Sequence, residues 1–145
     1  MISALVKMLE AGGPSGIFRV AEETDPAHIL KTAADRGWLA CHLRGDEIGD
    51  KATFLAQTAA ACGFPAYFGK NWDAFEEMLA DPSWRPAPGL LLLYDNPVTL
   101  AQRDPAAWRT LYTILRQVTS AQHADAPLLV LLRHARRLVP DAVWL

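Results

Sequence analysis

Asp73, Glu77 and Asp81 recur at intervals of four residues, with Glu76 beside them, in a stretch from Asn71 to Trp84 that contains no lysine or arginine. At helical spacing these carboxylates form one column, and such a column has three uses. Asp73, Glu76 and Glu77 could hold a divalent cation or divide acid and base work in a metal-dependent enzyme. They could present complementary charge to a basic protein. They could also be a solvated acidic face, the ordinary role of a charge run. The column has a cost, because like charges four residues apart destabilise a helix by roughly a few tenths of a kcal/mol per pair. Asp73 is favoured at the positive end of the helix dipole, whereas Glu77 and Asp81 stand toward the negative end.

The rest of the chain offers no competing constellation. His28, His42, His123 and His134 fall in no HxxxH, HExxH or Cys/His metal spacing, and His42, in an apolar run, is expected to be a hydrogen-bonded structural residue. There is no GxSxG or GxGxxG, and Gly12-Gly13-Pro14-Ser15-Gly16 lacks the Gly-Lys-Ser/Thr ending of a phosphate loop. No catalytic residue, metal site or cofactor is therefore expected. Arg133, Arg136 and Arg137 make a locally basic segment, expected to be a solvated end and not a nucleic-acid surface.

The column needs a helix to carry it, and the sequence supplies one. Asn71 is a favoured N-cap, and Phe75, Met78 and Leu79 fall together on the face opposite the acids. A loop with Pro65, Tyr67, Phe68 and Gly69 introduces that helix. Aromatic anchors beside complementary charge are the composition of a binding surface. The partner this implies is basic, with a cationic groove, as in proteins that grip phosphates.

Periodicity assigns the remaining elements. Helices are predicted over 2–10, from Pro26 to Gly37, from Asp50 to Cys62 and over 105–118. Strands are predicted over 17–20, 38–43, 90–94 and 128–132, the last two as unbroken apolar runs suited to burial on both faces. No element is assigned to the tail, 134–145. Strands alternating with helices predict an α/β fold with a parallel sheet.

Composition bounds the rest. With 145 residues, 51% of them hydrophobic and 21% charged, the chain can build one domain with its own core. A net charge of −2 provides no global attraction to nucleic acid, so any electrostatic partner must be recognised locally. Cys41 and Cys62 form no CxxC pair and are expected to be buried thiols in a reducing compartment. The first ten residues lack the basic and long apolar regions of a signal peptide, and no run approaches the length of a membrane span. A cytoplasmic location without membrane contact is expected, while oligomeric state is not legible.

The gapless run from Phe64 to Leu79 resembles the signature loop and second helix of the barstar family, intracellular inhibitors of bacterial ribonucleases. Pro65, Tyr67, Phe68, Gly69, Asn71, Asp73, Ala74 and Leu79 match in type and spacing. The order of strands and helices extends the resemblance over about 38–133, leaving 1–37 as an N-terminal extension and 134–145 as a C-terminal tail of one domain. The resemblance implies a small parallel three-stranded sheet flanked by helices; the extension has no counterpart in it and could add a strand. It also implies a non-enzymatic inhibitor, of the toxin-immunity kind, that plugs the active site of a basic ribonuclease or related toxin nuclease. Tyr67, Phe68, Gly69, Asn71, Trp72, Asp73, Glu76, Glu77, Ala80 and Asp81 are the expected contact positions, with Glu77 substituting for a substrate phosphate. Departures are a glutamate at 77 where the family has aspartate, Glu76 in place of tryptophan, and Ala80 in place of threonine. Two readings without a nuclease partner stand beside this one: the metal-dependent enzyme and a regulatory scaffold.

Overall fold

A computed structural model describes residues 1–121 and 125–145. His123 lies outside the described residues. Five parallel strands form one sheet: β1 (Gly16–Val20), β2 (Leu39–Arg44), β3 (Leu90–Asp95), β4 (Leu128–Arg133) and β5 (Val143–Trp144). Their order across the sheet is β2-β3-β4-β1-β5. The helices are α1 (Ile2–Ala11), α2 (Pro26–Ala34), α3 (Lys51–Cys62), α4 (Trp72–Ala80), α5 (Val98–Arg103) and α6 (Pro105–Ser120).

The expected α/β class is present, but the sheet has five strands and not three. β1 lies inside it, pairing with β4 from Gly16↔Leu129 to Val20↔Arg133, while β5 pairs with its other edge at Phe18↔Val143 and Arg19↔Trp144. The N-terminal segment therefore contributes an interior strand. The short strand β5, in the tail left unassigned, and the six-residue α5 are additional elements. Both are too short to display a period.

Side-chain alternation places a core on each face. Leu91, Leu93, Leu129 and Leu131 meet Leu5 and Leu9 of α1 and Ile29 and Ala33 of α2. Leu90, Leu92, Tyr94, Val130 and Leu132 meet α3, α4 and α6 on the other side. All six residues of β3 are buried, which is why its sequence is nearly unbroken leucine. Trp38 closes the first core: its indole Nε1 donates to the Leu9 carbonyl at 3.1 Å, and its ring lies on Gly89. A Cβ at Gly89 would come within 2.6 Å of that ring, so only glycine permits the approach.

Candidate functional site

The acidic helix begins where the sequence places it. Asn71 Oδ1 accepts from the Ala74 N–H at 2.8 Å, a capping bond that starts α4, and Asp73 stands in the first turn. Phe75, Met78 and Leu79 are buried, so the opposite face of α4 looks outward. Asp73, Glu76 and Glu77 are exposed on it. None of the ion pairs among the described residues includes these three carboxylates.

The loop before α4 splits its aromatic pair. Tyr67 is 68% exposed, whereas Phe68 is 8% exposed and packs edge-on against Phe64 with ring centroids 4.9 Å apart. Phe68 thus anchors the loop from below, and only Tyr67 offers its ring to solvent. Gly69, Lys70 and Asn71 are exposed, with Lys70 in the left-handed region at φ 52°. Trp72 is half-buried; it packs on Phe54 of α3 at 5.8 Å, and Lys51 Nζ lies 5.9 Å from its ring. Ala80 is half-buried at the end of the helix, and the exposed Asp81 carboxylate is spent locally. It accepts from the Ser83 N–H and hydroxyl, each at 2.9 Å, and these bonds hold its pKa below the ordinary aspartate value.

A residue that the sequence reading missed completes the helix. Arg85 is 6% exposed, and its guanidinium donates to the Met78 and Leu79 carbonyls of the last turn of α4, both at 3.4 Å. The same group donates to Ala87 at 3.2 Å and to Pro88 at 2.6 Å and 3.1 Å. Trp84 Nε1 adds a bond to the Met78 carbonyl at 2.9 Å. The carbonyl end of α4 is thereby satisfied by a buried cation just beyond the acidic stretch, which offsets the unfavourable placement of Glu77 and Asp81. The available signal was that Arg85 is the first cation after that stretch.

A second polar cluster lies at the carboxyl ends of the strands. The Asp95 carboxylate, at the end of β3, is 2.8 Å from His42 Nε2 of β2, 2.8 Å from Arg133 Nη1 of β4 and 3.5 Å from His134 Nδ1. Burial pushes the Asp95 pKa up, but the bonds from His42, Arg133 and His134 outweigh it and hold the carboxyl below its usual range. His42 is thus a hydrogen-bonded structural histidine, as expected. Arg133 is not a solvated end: it ties Asp95 to the Glu22 carbonyl beyond β1. Cys41 and Cys62 are both buried free thiols. Among the described residues, no group of three His, Cys, Asp or Glu side chains is arranged to hold a metal ion. No helix is long and apolar enough to cross a membrane among those residues.

The fold and this surface define a class: an α/β protein that displays one capped, internally unneutralised acidic helix to solvent. Residues 38–133 match the Barstar family, described as barnase inhibitor, and with more than half of its length matched the chain belongs to that family. No sequence among curated proteins matches it. Similar solved structures are two of the Aeropyrum pernix ORC2 protein. The ADPNP-ADP complexes have a TM-score of 0.71 at 15% identity, covering 97% of this chain and 43% of that one. The ADP form has a TM-score of 0.62 at 14% identity, covering 99% and 40%. Drosophila ORC bound to DNA is similar at a TM-score of 0.56 and 17% identity, covering 90% and 35%. The chain spans less than half the length of these proteins, and the likeness is one of fold.

Proposed function

We infer that the protein is an intracellular, stoichiometric inhibitor of a basic ribonuclease or related toxin nuclease. It acts by placing the loop from Pro65 to Asn71 and the outer face of α4 in the enzyme's active site. The observation that carries this reading is that Asp73, Glu76 and Glu77 stand exposed on a rigid, capped helix with no cation of the described chain paired to them. A nuclease active site is a cationic groove built for phosphates, and carboxylates on an already formed helix match it without the cost of ordering the backbone. Glu77, in the middle of the face, is the central phosphate substitute. Tyr67 supplies the aromatic anchor, and Trp72, packed on Phe54, is a contact at the first turn of α4. Membership in an inhibitor family supports the same reading, in which the protein has no active site of its own.

The test is titration of ribonuclease activity with the purified chain, using barnase as the first probe and a basic nuclease captured from the source cells as the second. The expected result is loss of activity with a one-to-one end point, abolished or weakened more than about tenfold by Glu77→Ala and unaffected by Arg137→Ala. Equal inhibition by the two variants would refute the site.

A further inference from the structure

We propose that a small cavity at the carboxyl ends of β4, β1 and β5 binds a single tetrahedral oxyanion of the phosphate class, independently of the inhibitor surface on α4. The position follows from the topology. The chain leaves β2 and β3 toward helices on one face of the sheet, and the segment after β4 also packs into that core, through Ala135 and Val139. The chain leaves β1 toward α2 on the opposite face. Between β4 and β1 the connections therefore diverge, and in open parallel sheets such a crevice outside the carboxyl ends is where ligands bind.

Half of that crevice is filled. On the β3 side the Arg133 side chain bridges Asp95 and the Glu22 carbonyl. On the β1 and β5 side a cavity of about 80 Å³ remains, and its charged and aromatic lining is Arg19, Glu22, His134, Arg136 and Trp144. The space suits several waters or one phosphate-sized ion.

The lining is chemically suited to that ion. Arg19 is held in place before any ligand arrives: Nε donates to the Ala142 carbonyl at 2.9 Å, Nη2 reaches the Pro140 carbonyl at 3.4 Å, and the guanidinium lies 4.7 Å from the centre of the Trp144 ring. No hydrogen bond among the described residues uses its Nη1. His134 and Arg136, both with left-handed backbones at φ 59° and φ 53°, line the cavity. Arginine forks match phosphate oxygens in geometry as well as in charge. The opposing group is Glu22, whose Oε2 is 3.8 Å from His134 Nε2 and whose side chain is 56% exposed. An arriving anion displaces that exposed carboxylate, so Glu22 weakens the site.

The experiment is calorimetry on the full chain at constant ionic strength, with inorganic phosphate in one arm and a 5′-phosphorylated dinucleotide in the other. The expected result is saturable one-to-one binding of phosphate at about 1 mM or tighter. Arg136→Ala, at an exposed position, weakens it at least tenfold without moving the thermal midpoint, and Glu22→Gln tightens it several-fold. Tighter binding of the dinucleotide assigns the site to a terminal phosphate; equal or weaker binding assigns it to the free ion. Absence of saturable phosphate binding by the wild-type chain, or indifference of binding to both variants, overturns the proposal. Neither result bears on inhibition, which is read through Glu77.

Discussion

Arg85 Nη1 lies 3.4 Å from the carbonyl oxygen of Leu79, so a buried guanidinium caps the end of the helix whose outer face is acidic. Replacing it by alanine would leave the carbonyls of Met78 and Leu79 with fewer donors in a buried setting. Arg85→Ala should cost about 2–4 kcal/mol of stability. Arg85→Lys should recover only part of that, because an ammonium cannot reproduce the planar fork. Urea unfolding of the three proteins checks both steps; a lysine variant as stable as wild type would show that charge alone holds the helix end.

At the other end of α4 the requirement is for an acceptor and not for an amide. Asn71→Ala should lower stability by about 1 kcal/mol, and Asn71→Ser should restore most of it, since serine also accepts from the N–H of the following turn. Thermal midpoints measured in one buffer decide this.

Glu77 should separate stability from function. Its neighbours at four residues on either side are Asp73 and Asp81, so Glu77→Lys turns two repulsive pairs into attractive ones. The variant should be as stable as wild type or more so by roughly a few tenths of a kcal/mol. Its inhibition of a basic ribonuclease should be abolished. A variant that both unfolds and loses inhibition would show that the column is structural.

If exposed carboxylates steer the partner, association should slow steeply as salt rises while dissociation changes little. Stopped-flow measurements from low to physiological ionic strength provide the check, and a salt-independent association rate would count against electrostatic mimicry.

Asp95 predicts an acid limb. Its folded pKa is depressed, so its contribution is fully present above the unfolded value of about 3.9 and is lost as pH falls through the lower folded value. Asp95→Asn should cost about 2–3 kcal/mol at neutral pH by removing the carboxylate from His42 and leaving Arg133 with the Glu22 carbonyl alone. The gap between variant and wild type should begin to narrow near about pH 4 and close as pH falls through the lower folded value. Denaturation series at several pH values measure it directly.

Local chemistry was the most legible part of this sequence. The N-cap at Asn71, the opposed faces of α4 and the doubly buried strands β3 and β4 follow from side-chain type and spacing within a few residues. What escaped depends on distant pairing. Asp95 meets His42 across 53 residues and Arg133 across 38, contacts that exist only once strand register is set. The place of β1 beside β4 is of the same kind. Phe68 is of a type that suits an interface, yet in the turn where its N–H donates to the Pro65 carbonyl at 3.0 Å its ring is buried. Arg85 was missed because its partners are backbone carbonyls, which carry no signature in the sequence.

The position of β4 also constrains the order in which the molecule can assemble. It is flanked by β3 and β1 in space, yet it is the fourth strand in the chain, and Gly16 must wait for Leu129 before it has a partner on that side. During synthesis β2 and β3 can pair early, while β1 emerges first and remains without its neighbour until more than a hundred further residues have followed. Closing so long a loop is slow. The sheet should therefore form in a late, cooperative step, with the acidic helix already capped at Asn71 but its supporting strand unpaired on one edge until β4 arrives.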